Sequence, residues 1–425
     1  MSFIFTGFSP NLTGRNTLKA LGWICLPWKW KNLAKGENVE KAERELKKYF
    51  GLKQAVTFDS GRSALYFALK ALEIKEGDEV LVQAYTCVVV ANAIRWTGAM
   101  PVYVDVGDDF NMDVNDLEKK ITPRVKVVII QHTYGLPAEL EKIIGIARKH
   151  GLKIIEDCAH SFGARHNEKL TGVFGDIGML SFGSDKILSC VRGGALVTDN
   201  PELGQKLEKY QSGLKPLAVK DIIRHLLHFP VFYLGKPLYG VFVGKAILWL
   251  AKNIYLVNRI ITRNEKQGER DSLFSRTLPN ALADILLGQL KEVGAVNEQR
   301  KKIAALYDSE ISAKIKKPLL KAANKDECVY LRYPILIDQP KELMNYAKKH
   351  KIILGDWYNA VIAPRDSAID KSGYTPGACP NAEKLAARIV NLPTGRNMGE
   401  GDARRVVKVV NQWINKKSEV RRKNF

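Results

Sequence analysis

The chain has little cysteine and no cysteine pattern. Six residues in 425 (Cys25, Cys87, Cys158, Cys190, Cys328 and Cys379) are scattered without a CxxC pair or a metal-ligand spacing. That excludes a zinc-ribbon or disulfide framework and implies reduced thiols, with no metal expected. Also lacking is any apolar run of the roughly 18–20 residues that a bilayer-spanning helix needs. The opening residues, MSFIFTGFSPNLTGR, show no basic segment leading into a long apolar one, so no secretory leader is expected and the cytoplasm is the expected compartment. No internal repeat or low-complexity tract is present. Without helix-turn-helix spacing or an RNA-binding aromatic signature, nucleic acid is not an expected partner.

Acidic residues are the other shortage. Asp and Glu number 45 against 66 Lys and Arg, a net charge of +21. Such an excess suits an anionic membrane surface or a phosphorylated substrate. With 46% hydrophobic and 26% charged residues, the chain is long enough for one large and one smaller domain.

From residue 54 onward, short apolar segments alternate with helical ones. QAVTF (54–58), EVLVQAY (79–85), PVYVDV (101–106), KVVIIQH (126–132), KIIEDCA (153–159) and IGMLSF (177–182) read as strands. The segments between them carry helical periodicity. This pattern predicts a mostly parallel sheet covered on both faces, with ligands at the carboxyl ends of its strands. Asp157 falls at such an end, as do Ser181 and Lys186 just past the next strand. Strand 54–58 runs into a helix through Ser60-Gly61-Arg62-Ser63, where free N–H groups and a positive dipole end suit an anion. Taken alone, Lys186 is a surface lysine, Asp157 a helix cap, His160 a satisfied core histidine and Ser181 a buried hydroxyl. Together, an acid, a lysine and an anion turn on one rim match pyridoxal phosphate (PLP). Its aldehyde needs a lysine, its ring nitrogen a carboxylate, and its phosphate a helix N-terminus with hydroxyls.

The motifs that follow one another along the chain sharpen this. GENVEKAE (36–43), DSGRSAL (59–65), HTYGLPAEL (132–140), EDCAHSFGA (156–164), GDIGMLSFGSDK (175–186), RGGALVTD (192–199), QL (289–290), QRKKIAALY (299–307) and CPNAEKLAARIVNLPT (379–394) occur in order. In these the chain resembles the DegT/DnrJ/EryC1/StrS aminotransferases. The resemblance implies a fold-type I PLP-dependent transferase, with a large α/β domain over 36–288 and a smaller α/β domain over 289–425. It implies Lys186 as the Schiff-base lysine and Asp157 as partner of the ring nitrogen, with His160 near the phenolic side. Ser181, Gly61, Arg62 and Ser63 would bind phosphate. The implied reaction moves an amino group from an amino acid, often glutamate, to a keto sugar on a nucleotide, in a homodimer.

Three departures accompany it. Arg62 stands where the family has Thr. Cys87 falls where the family stacks an aromatic ring on the cofactor, and Tyr85, two residues earlier, is the expected substitute. FSRTLP (274–279) replaces a segment whose Asn reaches the partner's phosphate, leaving Ser275 or Arg276 as replacements. The last two leave open a membrane-surface binding or regulatory protein that keeps the fold without turnover. A PLP-fold sugar dehydratase-like offshoot is a further alternative, although such offshoots carry His in place of the lysine.

Two segments lie outside these motifs. The arm 1–35 contains LKALGWICLPWKWKNL (18–33), with Trp23, Trp28 and Trp30 among Lys19, Lys29 and Lys31. The insertion 213–273 is hydrophobic, its runs broken by Lys236, Lys245, Lys252 and Arg259. Charges seven apart place the last three on one helical face, opposite Ile247, Leu248, Leu250, Ile254, Leu256, Val257 and Ile261, with Trp249 and Tyr255 alongside. Packing on a neighbouring domain and peripheral contact with an anionic membrane both fit, and the Trp/Lys arm favours the membrane. In the smaller domain, Asp356, Trp357 and Tyr358 fit either a substrate mouth or a buried hinge.

Overall fold

Seven apolar segments of five to seven residues build the central sheet: β1 Gln54–Phe58, β2 Glu79–Gln83, β3 Met100–Val104, β4 Val125–Gln131, β5 Lys153–Asp157, β6 Ile177–Ser181 and β7 Gly194–Thr198. In this computed structural model, which describes residues 2–7, 9, 11–253, 256–257, 261–317 and 325–423, their order is β1-β7-β6-β5-β4-β2-β3. Only β7 runs antiparallel to its neighbours. The central strands are buried on both faces, which is why they read as continuous apolar runs rather than alternating ones. The expected mostly parallel α/β sheet is the fold observed.

Register brings the rim together. Asp157 at the end of β5 faces Met179 of β6, while Gly194 pairs with both Ser181 and Phe58. The last residue of β1, its following turn and the end of β6 therefore meet on one edge. The loop from β6 to β7 must reverse direction across the same edge, and it carries Lys186.

Helices flank the sheet and extend beyond it. Helix α1 (Gly14–Cys25) belongs to the arm, α2 (Glu37–Phe50) follows it, α3 (Gly61–Ala71) starts at the rim, and α4 (Val88–Arg95) lies over the next crossover. The insertion forms a helical hairpin, α5 (Val219–Gly235) and α6 (Phe242–Asn253), joined by the turn Pro237–Gly240. Its close packing rests on glycine: a Cβ on Gly244 would lie 2.4 Å from the Gly235 carbonyl oxygen, and one on Gly235 would lie 2.8 Å from Leu248. Ile254, Tyr255 and Arg259 of the expected cationic-ridge helix lie outside the described residues.

Helix α7 (Asn280–Leu290) packs on α2, and α8 (Val293–Glu310), α9 (Pro340–Lys349), α10 (Pro380–Arg388) and α11 (Glu400–Lys423) follow, with an antiparallel pair, Tyr333–Leu336 with Ile389–Leu392. Helices α7 and α8 are parted at Lys291 and Glu292. The arm is woven in rather than free. Ile4–Phe5 pairs in parallel with Ile352–Ile353, and α1 packs on α5 and α7.

Candidate active site

The residues at the rim enclose a cavity of about 240 Å³, lined among others by Ser60, Gly61, Arg62, Cys87, Asp157, His160, Ser181 and Lys186. Asp157 is nearly sealed from solvent and accepts the Ala159 N–H at 2.9 Å. Burial raises its pKa, opposed by that hydrogen bond and by the nearby Lys186 charge. Burial lowers the pKa of Lys186, opposed by Asp157. A half-buried amine of reduced basicity across from a buried carboxylate is a nucleophile with a built-in counter-charge.

The Lys186 loop is held from two sides. Its own turn closes when the Lys186 N–H donates to Gly183 O at 3.0 Å. From the arm, the Asn11 amide donates to the Lys186 carbonyl and, at 2.7 Å, to that of Ile187. Asn11 is in turn fixed by the fully buried Arg300 of α8, whose guanidinium donates to Asn11 Oδ1 at 3.0 Å and to the Leu331 carbonyl at 3.1 Å. Sequence reasoning missed this chain of contacts, because its members lie far apart in the sequence and belong to no motif.

His160 has a defined tautomer. Its Nδ1 accepts the Tyr134 N–H at 3.3 Å, so the proton sits on Nε2 and donates to Tyr358 Oη at 3.1 Å. Burial, with Lys186 and Arg332 nearby, keeps the ring neutral far below its usual pKa. Trp357 also lines the cavity, with the Arg332 guanidinium 3.7 Å from its ring centre and Lys186 Nζ 5.5 Å from it. Asp356 and Tyr358 line it too, so all three residues flagged for a substrate mouth reach the site.

At the anion turn, Ser60 caps α3 by accepting the Ser63 N–H at 3.3 Å. The remaining first-turn amides have no intrahelical acceptor. Ser63 itself is turned inward: its hydroxyl accepts from Ser60 Oγ at 3.0 Å and from the Ser275 N–H at 3.2 Å, and it does not line the cavity. The Arg62 side chain is ion-paired with Glu265, which forms a capping box with Thr262. The segment 274–279 lies on this same turn within its own chain, Arg276 N–H donating to Asp59 Oδ1 at 3.0 Å. Asp59 is also held by Arg192, whose Nε donates to Oδ2 at 3.0 Å.

Tyr85 stands apart from the cavity. A positive φ of 67° at Tyr85 breaks the strand alternation that would have set it on the same face as Cys87. Its ring goes into the core with Phe110, Tyr134 and Tyr358, and its hydroxyl meets that of Tyr134 at 2.6 Å. Cys87 alone of the two faces the cavity.

Three cavity-lining residues come from the insertion: Ile261, and His225 and His228 of α5. The histidines' i, i+3 spacing on one helix face was readable, but the apolar run around them masked it. Among the described residues one cluster, His132, Glu156 and Cys158, could geometrically hold a cation. Its donors are already committed. Glu156 accepts the N–H groups of Gly172, Phe174 and Gly175 at 2.6–2.8 Å, and His132 accepts from Ala138 and faces Glu156. The cluster organises the loop before β6.

The rim residues fit the phosphate and ring of PLP. A Cβ on Gly61 would meet Ser181, so only glycine leaves the cradle open, and the carboxylate and lysine are the donor set the ring requires. Comparison with known proteins agrees. Over 174 residues the chain is 45% identical to the UDP-N-acetyl-3-dehydro-alpha-D-glucosamine 3-aminotransferase of Acidithiobacillus ferrooxidans, covering 40% of this chain and 47% of that one. It is 38% identical over 197 residues to GDP-perosamine synthase of Escherichia coli O157:H7, covering 46% and 53%. The chain thus spans about half the length of these curated relatives. The crystal structure of S. venezuelae DesV with a ketimine intermediate superposes with a TM-score of 0.72 at 26% identity, covering 94% of each chain. The profile of the DegT/DnrJ/EryC1/StrS aminotransferase family matches residues 25–224 and 255–411, and the chain belongs to that family.

Proposed function

We propose that the chain is a PLP-dependent aminotransferase that moves an amino group from an amino-acid donor, glutamate by family resemblance, to a keto sugar carried on a nucleotide. The observation that carries this reading is the convergence of Asp157, Lys186 and the Gly61–Ser181 cradle on one cavity. The names of the relatives, both nucleotide-sugar enzymes, support the acceptor class.

When bound, PLP supplies an aldehyde for the amine and a ring that draws electrons from the carbon bearing it. Asp157, with Lys186 opposing the effect of its burial, would hold a proton at the ring nitrogen. The first-turn amides of α3 and the Ser181 hydroxyl take the phosphate. Lys186 anchors the aldehyde end. When not bound there, its Nζ would be the group placed to take up and give back the donor Cα proton, as general base and acid. Neutral His160, fixed by Tyr134 and Tyr358, borders the ring without adding charge. The test is the absorbance band of cofactor bound to Lys186. It should form with PLP, bleach with an amino donor and be absent in Lys186→Ala. A PLP-supplemented chain with no band and no borohydride-trapped adduct at Lys186 overturns the reading.

The same resemblance supports a homodimer, and light scattering giving the mass of one chain would remove that part. Peripheral contact with an anionic membrane is supported by an exposed surface on the arm and the insertion hairpin. Phe242 is 82% exposed, Trp28 67% and Trp249 66%, with Leu234, Val241 and Leu250 also bare. Helices α1 and α5 touch, so the two segments form one continuous region. Among the described residues no helix is long and apolar enough to cross a bilayer. Flotation with vesicles containing phosphatidylglycerol is the corresponding measurement.

A further inference from the structure

The family match breaks off at residue 224 and resumes at 255. The gap begins at His225 and contains His228, and both line the cofactor cavity. A segment outside the shared family pattern therefore supplies part of the wall of the shared site. We propose that His225 and His228 of the insertion form a subsite for the hydroxyl groups of the sugar acceptor, an inference that rests on the aminotransferase reading and assigns its specificity to this helix.

Three observations carry it. The first is an unsatisfied hydrogen-bonding group on a cavity-lining residue. His228 is nearly sealed from solvent, and its Nε2 is bonded to the Ser9 hydroxyl, whereas its Nδ1 has no partner among the described residues. A buried ring nitrogen without a partner is costly, and the cost is relieved when a ligand hydroxyl fills the position.

The second is charge. Burial holds both rings neutral, His228 down to about 3, with Lys236 adding to the effect, and His225 well below its ordinary value beside Arg192. Arg192 is itself neutralised by Asp59. A wall of neutral imidazoles beside a paired arginine is a poor counter-charge for phosphate. It suits the donor and acceptor character of a hydroxyl or carbonyl. Anionic groups have their own place at the N-terminus of α3.

The third is rigidity. Lys236 Nζ donates to the Ser9 carbonyl at 3.4 Å, and the Phe232 ring stacks on His228 with centres 4.1 Å apart. His228 is thus fixed by the arm on one side and by its own helix on the other. Such fixed polar groups discriminate strongly between a substrate that pairs with them and an analogue that does not.

The test compares UDP-, GDP- and dTDP-glucose with the corresponding bare diphosphates, measured calorimetrically on the PLP-loaded full chain. At least one sugar nucleotide should bind the wild type more tightly than its bare diphosphate. His225→Ala and His228→Ala should each erase about tenfold of that increment, about 1.4 kcal/mol, and spare the bare diphosphate. Asn mimics the Nδ1 side of a histidine and Gln the Nε2 side. His228→Asn should therefore keep much of the increment and His228→Gln should lose it. If Gln rescues and Asn does not, His228 serves only Ser9, and the subsite is overturned. Equal loss of sugar nucleotide and bare diphosphate, or no sugar increment in the wild type, overturns it as well. Bleaching of the cofactor band by glutamate in the same samples reports separately whether the aminotransferase reading stands.

Discussion

Gly61 and Ser181 are so close that one excludes a side chain on the other. A Cβ on Gly61 would lie 2.8 Å from Ser181 Cβ and 2.9 Å from its Oγ. The contact follows from the sheet, since Gly194 of the antiparallel strand pairs with both Phe58 and Ser181 and brings the α3 turn against the end of β6. Gly61→Ala must push the turn away from the hydroxyl. Overpacking of this kind costs about 1–3 kcal/mol, and the cost falls on the phosphate cradle. PLP affinity, measured by absorbance titration, should weaken about tenfold or more. Removing the opposing Cβ in Gly61→Ala/Ser181→Gly should restore packing but not the hydroxyl's bond, giving partial recovery. Unchanged affinity in Gly61→Ala would place the phosphate elsewhere.

Arg62 and Glu265 form a pair whose worth lies in its being complete. Glu265 is almost fully buried, and the Arg62 guanidinium holds its carboxyl below the usual range against the opposing effect of burial. Removing one member of a buried pair leaves an uncompensated charge and costs roughly 3–5 kcal/mol, whereas replacing both can be nearly neutral. Arg62→Thr, which restores the residue type usual in the family, should therefore lower the denaturation midpoint sharply. Arg62→Thr/Glu265→Gln should return most of the loss. Additive losses in the double variant would mean that the two residues act independently.

The cofactor rim was legible because each of its groups sits at a strand end, where pattern alone places it. Asp157, Ser181 and Lys186 follow apolar strands, and Gly61 opens a helix after one. What escaped is what depends on orientation or on distant chain. Tyr85 leaves the face of Cys87 because its left-handed backbone reverses the expected alternation, and no residue pattern announces a positive φ at a tyrosine. The Ser63 hydroxyl was expected at the phosphate, but helix capping by Ser60 and the backbone of Ser275 claim it. Asn11 and Arg300, which hold the lysine loop, lie 289 residues apart. His225 and His228 sit in a run so apolar that its hydrophobicity outweighed the two polar residues on one helix face.

Those buried histidines also give the fold an acid sensitivity. His228 is shifted from its ordinary 6.5 to about 3, because its burial disfavours the charged ring. An unfolded chain binds a proton there below about pH 6.5, while the folded chain does not. The stability held by the neutral ring is complete above that pH and is lost as the pH falls toward about 3. Each such histidine costs up to about 1.4 kcal/mol per pH unit over that window. The thermal midpoint should therefore fall between pH 6.5 and 4.5, and His228→Asn should fall less steeply than the wild type. Parallel slopes for the two proteins would show that His228 takes up its proton in the folded state at an ordinary pH.

The exposed hydrophobic region makes a prediction that separates membrane contact from simple stickiness. Phe242, Trp249, Trp28 and Trp30 face solvent, Lys29 and Lys31 share the turn Pro27–Asn32 with the last two, and Lys245 lies 5.4 Å from the Tyr239 ring centre. Aromatic side chains and lysines together favour the interface of an anionic bilayer, where the rings sink to the headgroup level and the amines meet lipid charge. Each lysine near such a surface contributes about 1 kcal/mol, an attraction that salt screens. Flotation should therefore be strong with phosphatidylglycerol vesicles, weak with phosphatidylcholine, and reduced but not abolished at high salt. Trp249→Ser/Phe242→Ser should lower binding to both vesicle types, because it removes apolar area. Lys29→Gln/Lys31→Gln should lower only the anionic preference. Binding that ignores lipid charge and salt in every variant would make the region an apolar contact surface rather than a membrane one.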